Sequence, residues 1–356
     1  MANINDYLIW RGDINITKDF PLNEVDNMIL ARFSYLLFDK IQLDEKETIG
    51  SISAKMKDFE NDEFNYNGDK ELITRLGESD RFKDLIVTDY VKNNDFKTER
   101  QFSAITVHLP NKEMYISFVG TDGSIMGWKE DFNMSFMENI PAQIAGKEYT
   151  ETIAKKYPDK KIFLGGHSKG GNVAVYTAFF SDKSIQNRIK KVVNYDGPGF
   201  AKSTIESVKN KKIIDKIFTY IPQDSVIGRI LEHEEGYEVV ESVEKGIYQH
   251  DIYSWQIIRD KMVKLENATD TSEMINETMK DWLKKTTPKQ RKIFFDSIFE
   301  IFYSTEANTF SEISWIKNTP KLFGTYKGLS EEDRKTVTEM LKLFGKSYFS
   351  SLKDHI

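Results

Sequence analysis

The sequence predicts an α/β fold: a mostly parallel central sheet flanked by helices, with helical additions at both ends. Three observations carry this expectation. From about residue 100, short apolar runs of strand character alternate with helical patterns, the order that buries a parallel sheet between helices. One strand and its following helix are joined by Gly166-His167-Ser168-Lys169-Gly170, a G-x-S-x-G turn. On both sides of this stretch the apolar residues fall at helical spacing.

Residues 1 to about 95 read as mainly helical, because Leu22, Val25, Met28, Ile29, Phe33 and Leu36 recur at three- and four-residue intervals. These positions suit core contacts. Next, the runs 102–108 and 114–119 flank Pro110-Asn111-Lys112 and read as a β-hairpin. A helix is expected near 144–156, then the strand Lys161-Ile162-Phe163-Leu164 and a buried helix through Val173-Ala174-Val175-Tyr176-Thr177-Ala178. Two more strands follow at 191–195 and 217–221, and a β-like segment at 237–243. Helices return near the carboxyl end. Thr287-Pro288 with Gln290 combines a cap, a first-turn proline and a capping-box acceptor, and Ser330-Glu331-Glu332-Asp333 opens another acid-rich turn.

Composition narrows the functional classes. With 356 residues, 39% of them apolar, the chain can build one large core or two modest ones. A formal charge of −6 argues against a nucleic-acid partner, which phosphate binding would equip with a concentrated basic surface. Cysteine is absent, which removes disulfide and thiolate chemistry and makes the cytoplasm the expected compartment. No apolar run is long enough to span a bilayer, and the first residues lack the basic-then-apolar layout of a secretory signal.

The G-x-S-x-G turn is the chemical signal. A sharp strand-to-helix turn holds its central residue in a sparsely populated backbone region and brings neighbouring chain close, so Gly166 and Gly170 meet a need for small residues. The following helix aims free N–H groups at the serine, where an oxyanion would need them. Ser168 is therefore the expected nucleophile; a solvated serine in a glycine-rich turn is the plainer alternative. A phosphate loop fits less well, since no G-x-x-x-x-G-K-[ST] is present.

A serine nucleophile needs a base and an acid, expected in the order Ser, acid, His. Of the five histidines, His108 and His167 precede the serine and His355 lies at the extreme tail, leaving His233 and His250. His250 is favoured because it follows the 237–243 segment on a loop, whereas His233 sits in a charged run. Asp224 follows the strand ending at Ile221, at the edge where active sites of open α/β sheets gather. Its rival is Asp196, which ends the preceding strand and also reads as a turn aspartate beside Gly197 and Pro198. Asp224 is favoured.

Several motifs resemble a known family. Phe118-Val119-Gly120-Thr121, with Trp128 and Asp131, resembles the oxyanion-strand motif of class 3 lipases, whose G-H-S-x-G-G also resembles the elbow. Gln223-Asp224-Ser225-Val226-Ile227 is similar to their acid segment. The resemblance to the Mbeg-like family of bacterial α/β-hydrolases is closer: Asn194-Tyr195-Asp196-Gly197-Pro198-Gly199-Phe200, Pro222-Gln223-Asp224-Ser225 and His250-Asp251 with Ser254-Trp255 carry it. The opening Tyr7–Asp13 and Asn23–Asn27 segments share it, so it spans about residues 1–260.

The resemblance implies an α/β-hydrolase fold with Ser168, Asp224 and His250 as triad, and it adds Thr121 as an oxyanion-hole residue beside the N–H of Lys169. Two departures from the lipases stand out: a cation, Lys169, follows the nucleophile, and Val119 replaces an arginine. The pattern along the chain predicts a helical region over 1–95 packed on the core, a catalytic core over 96–262 and a helical extension or cap over 263–356, the last lying beyond the span of the resemblance.

The expected chemistry is hydrolysis of a carboxylic ester, of a small acyl or lipid substrate, through an acyl-enzyme. It requires no metal and no organic cofactor. Thioester or amide hydrolysis, or acyl transfer, would use the same triad, and a hydrolase-like scaffold that only binds is the non-catalytic alternative. The apolar set Met126, Trp128, Phe132, Met134, Phe136, Met137 and Ile140 either forms a lid over an acyl chain or packs a helix onto the sheet. The dense stripe Phe294, Phe295, Ile298, Phe299, Ile301 and Phe302 is expected in a core rather than on a membrane surface. The sequence leaves the oligomeric state open.

Overall fold

The computed structural model of the chain describes residues 2–309 and 312–354. Helices α1 (Ile4–Arg11), α2 (Glu24–Phe33), α3 (Ile49–Met56) and α4 (Asp69–Glu78) precede or surround the short strand β1 (Glu47–Thr48). Strands β2 (Ile86–Asp95), β3 (Arg100–Leu109) and β4 (Glu113–Phe118) form an antiparallel meander. Helices α5 (Ile125–Asn133) and α6 (Pro141–Lys156) lead to β5 (Lys161–His167), α7 (Lys169–Phe180), α8 (Lys183–Gln186) and β6 (Ile189–Tyr195). Helix α9 (Lys202–Glu206), β7 (Ile217–Pro222) and β8 (Glu238–Val240) follow. A small hairpin of β9 (Ile257–Ile258) and β10 (Lys261–Met262) precedes β11 (Lys264–Leu265). Helices α10 (Asp270–Lys285), α11 (Pro288–Tyr303), α12 (Trp315–Gly328) and α13 (Glu331–Asp354) close the described chain.

The main sheet runs β1-β2-β3-β4-β5-β6-β7-β8-β11, parallel from β4 to β8 and antiparallel at both ends. Because the parallel strands are neighbours in sequence order, right-handed crossovers bring their connecting helices to one face. The strands alternate accordingly. Met114, Ile116, Ile162, Leu164 and Val192 pack with α6 and α7, while Tyr115, Phe163, Val193, Tyr195 and Tyr220 point to the other face. That second face would be bare without the N-terminal helices, whose Val25, Met28, Ile29, Phe33 and Leu72 cover it. The result is the α/β-hydrolase architecture with helical extensions at both ends.

One segment departs from the sequence reading. Residues 1–95 contain β1 and the ten-residue β2 as well as helices. Strand β2 hides from pattern analysis because its register to β3 shifts between Thr88 and Val91, with Asp89 at φ 56°, and its outer half, Lys92 to Asp95, is polar. A bulge of this kind breaks the two-residue alternation that marks a strand.

The C-terminal helices build a separate apolar cluster. Trp282 of α10, Phe295 and Phe299 of α11 and Met340 of α13 pack with Ile125 of α5. The stripe on α11 is thus core, and its target is α5: Phe132 stacks on Phe295 with ring centroids 4.6 Å apart. Arg291 fastens the joint, donating from Nε to Ser135 O at 2.7 Å and from Nη1 to Thr286 O at 2.7 Å. No helix among the described residues is long and apolar enough to cross a membrane.

Candidate active site

Ser168 occupies the single residue between β5 and α7, at φ 56° and ψ −134°. A non-glycine residue tolerates this region only where its surroundings enforce it. Here the enforcement is close packing: a Cβ at Gly166 would lie 2.3 Å from Gly170 C, and one at Gly170 would lie 2.1 Å from Phe118 O. The serine amide donates to Tyr195 O of β6 at 2.8 Å, which ties the turn to the neighbouring strand. As the first helical residue, Lys169 has an N–H without an intrahelical acceptor, and that donor opens beside Ser168.

His250 lies on the loop after β8, and its Nδ1 is 2.6 Å from Asp196 Oδ2. A carboxylate acceptor at Nδ1 assigns the ring proton to that nitrogen and leaves Nε2 as the basic one. Asp196 caps the end of β6 at φ 50° and is 1% exposed. Its other oxygen accepts from Ser225 Oγ at 2.5 Å and from the Gly228 amide at 3.1 Å, so both oxygens are engaged.

The carboxylate beside His250 is therefore Asp196, not the expected Asp224. Asp224 holds the loops together: it accepts from Thr269 Oγ1, the N-cap of α10, at 2.5 Å, and from the Gly246 amide and Gln249 Nε2 at 3.1 Å each. Both aspartates end neighbouring strands at the same sheet edge. Which one meets the imidazole depends on the path of residues 246–250, and that path turns His250 toward β6.

A second histidine steadies the first. His167 is buried, and its Nε2 is 2.7 Å from His250 O, while the two rings lie 4.4 Å apart. Burial, with added repulsion from His250 and Arg32, pushes the pKa of His167 well below the ordinary value, so it stays neutral and donates to that carbonyl. His233 and His108 serve elsewhere. His233 contacts Gly228 O and Glu235, and His108 contacts Thr88 and Lys160. His355 lies outside the described residues.

Thr121 follows β4 and faces the same cavity as Ser168. Its hydroxyl donates to Asp131 Oδ2 on α5. Burial raises the Asp131 carboxyl to about 6 against the attraction of Lys169, whose Nζ is 3.9 Å away. Tyr35 is a site residue that the sequence did not reveal. Its hydroxyl accepts from the Gly120 amide and donates to His167 O, both at 2.9 Å, pinning the turn after β4 against the elbow.

The cation beside Ser168, Lys169, has its own partners. Its side chain is 1% exposed, its ammonium held by Glu130 Oε2 at 2.7 Å and Gln101 Oε1 at 2.6 Å.

A cavity of about 160 Å³ opens over this constellation, with Ser168, His250 and Thr121 on its floor. Trp128 and Phe132 of α5 and Met279, Trp282, Leu283 and Phe295 of α10 and α11 contribute apolar walls. Helix α5 thus both lines the cavity and supports the C-terminal helices.

The Mbeg1-like family model matches residues 76–300, well over half of the chain. The chain belongs to the Mbeg1-like family. The matched span holds Thr121, Ser168, Asp196, Asp224 and His250, whereas Tyr35 of this Mbeg1-like chain precedes it. No curated protein matches the sequence significantly. Among solved structures the chain is similar to a fungal lipase in complex with an inhibitor (15% identity, TM-score 0.33, covering 45% of this chain and 66% of that one). It is also similar to the Lip2 lipase of Yarrowia lipolytica (14%, 0.30, 44% and 65%) and to a propeptide complex of Rhizomucor miehei lipase (15%, 0.33, 46% and 58%). The chain spans just under two thirds of the first of these lipases and less of the others.

Proposed function

We propose that this protein is a serine hydrolase that cleaves carboxylic esters through an acyl-enzyme. The observation that carries the reading is the shared cavity of Ser168 and His250, with His250 Nδ1 hydrogen-bonded to buried Asp196. In the first step His250 Nε2 takes the proton of Ser168 as Oγ attacks the ester carbonyl. The N–H groups of Thr121 and Lys169 receive the oxyanion, and His250 returns the proton to the departing alcohol. Water, deprotonated by the same imidazole, then releases the acid and regenerates the serine.

Asp196, rather than Asp224, orients His250 in this scheme and stabilises the imidazolium. The apolar walls from α5, α10 and α11 favour an acyl or lipid-like group of modest size, in keeping with the likeness of the sequence motifs to class 3 lipases. A small-molecule acyl ester or lipid is the expected substrate.

Fluorophosphonate labelling tests the reading directly. Wild type should label at Ser168, with the signal lost in Ser168→Ala and reduced by orders of magnitude in His250→Ala. A series of p-nitrophenyl esters of rising chain length, set against thioester and amide analogues, then defines the acyl group and the bond cleaved. Folded wild type that fails to label would overturn the proposal.

A further inference from the structure

Building on the proposed role of Ser168, we infer that Gln101 is a positioning residue that aligns both oxyanion donors through one buried network with Lys169 and Glu130. Gln101 sits on β3 and is 2% exposed, so its amide had to find partners inside the protein. Its Nε2 donates to Gly120 O at 3.2 Å. That carbonyl belongs to the same peptide unit as the Thr121 N–H. A trans peptide is planar and its C=O and N–H point in opposite directions, so holding the oxygen on one side aims the N–H toward the other.

The other oxygen of the network leads to the second donor. Gln101 Oε1 accepts from Lys169 Nζ at 2.6 Å, and Gln101 O accepts from the same ammonium at 3.1 Å. The third ammonium proton goes to Glu130 Oε2 at 2.7 Å. An ammonium has three donors, and all are used here. Lys169 also supplies the backbone N–H proposed as an oxyanion donor, so its tethered side chain holds that residue from behind.

Glu130 completes the frame. It is fully buried, accepts from the Gln101 backbone N–H through Oε2 at 3.0 Å and from the Ala142 backbone N–H through Oε1 at 2.8 Å. Strand β3, the turn after β4, helix α5 and the start of α7 are therefore joined at one ion pair. A cation after the nucleophile is explained by this: a leucine could fill the space but could not connect the two donors. Small displacements of catalytic groups are costly because the transition state needs them already in place.

The test compares Gln101→Met and Lys169→Met with wild type. Each should lower kcat by about 10- to 100-fold with KM changed less than about threefold. Affinity for an alkyl boronic acid, whose tetrahedral serine adduct presents an oxygen to the hole, should fall by the same factor as kcat/KM. Gln101→Glu retains the length and the acceptor facing Lys169 while removing the donor to Gly120, and carries the same comparison should the methionine variants fail to fold. Variants with lower melting temperature but unchanged kcat and boronate affinity would overturn the positioning role. Wild type that neither labels with fluorophosphonate nor turns over an ester would overturn the underlying reading, and the role with it; labelled, active wild type beside unaffected variants would overturn the role alone.

Discussion

His250 Nδ1 meets Asp196 Oδ2 at 2.6 Å, across a gap of fifty-four residues, while Asp224 is engaged by the N-cap of α10. The two carboxylates stand at the ends of adjacent strands, yet they have different tasks. Asp196 has a buried position, two further donors and the imidazole. Asp224 joins the loop carrying His250 to the helix that roofs the cavity.

Substitution separates these tasks. Asp196→Asn should present the wrong tautomer to Ser168 and lower kcat by about 10³- to 10⁴-fold. Asp224→Asn should keep kcat within about tenfold of wild type while lowering the melting temperature, since it weakens a tether rather than the chemistry. Steady-state rates with one p-nitrophenyl ester and a thermal melt on each variant decide the matter. Equal loss of rate in both would restore Asp224 to the triad.

Asp131 gives a pH signature. Its carboxyl is raised from 3.8 to about 6, chiefly by burial, so the folded chain binds this proton more tightly than the unfolded chain does. Between pH 4 and 6 folding is then linked to proton uptake, and the contribution of Asp131 to stability falls as pH rises. Urea unfolding of wild type and Asp131→Asn should show wild type losing about 1–3 kcal/mol relative to the variant over that interval. A difference that is flat with pH, or that grows in favour of wild type, would contradict the raised carboxyl.

The parts of the site that could be read from the sequence are those made by neighbours along the chain. The strand, turn and helix around Ser168 depend on spacing and on two small residues, and all of that is local. The partner of His250 is not local, because Asp196 and Asp224 have equivalent positions at the ends of β6 and β7 and only the three-dimensional path of the 246–250 loop distinguishes them. Tyr35 gives no pattern at all: an ordinary helix-end tyrosine, it acquires meaning only when β4 and β5 bring Gly120 and His167 to it. Strand β2 was obscured by its bulge. The aromatic stripe of α11 announced burial, but nothing in its spacing named α5 as the surface it covers.

One buried ion pair of the N-terminal region should matter for stability rather than chemistry. Arg81 and Asp26 form a pair with no side-chain exposure, 2.5 Å apart, and Tyr7 donates to the same carboxylate at 2.7 Å. Removing one member leaves the other charged and dry. Arg81→Leu should therefore cost about 3–5 kcal/mol in urea unfolding. At a temperature where the variant remains folded, its rate of fluorophosphonate labelling should match wild type. A labelling rate that drops in fully folded protein would mean that the Arg81–Asp26 pair shapes the site as well as holding the N-terminal helices in place.

The roof of the cavity should set how long an acyl group can enter. Phe295 lies 7% exposed between α11 and α5, stacks on Phe132 and lines the cavity itself. Phe295→Ala removes an aromatic ring from that wall and should cost about 3–5 kcal/mol of stability. In the surviving folded protein the space left by the ring is continuous with the cavity, so the preferred p-nitrophenyl ester should shift to a longer chain. Short esters, which do not reach the wall, should lose little in kcat/KM. A length profile identical to wild type would place the acyl chain elsewhere, along the loops that carry Pro198, Ile227 and Leu231, and would leave the C-terminal helices with support of α5 as their main task.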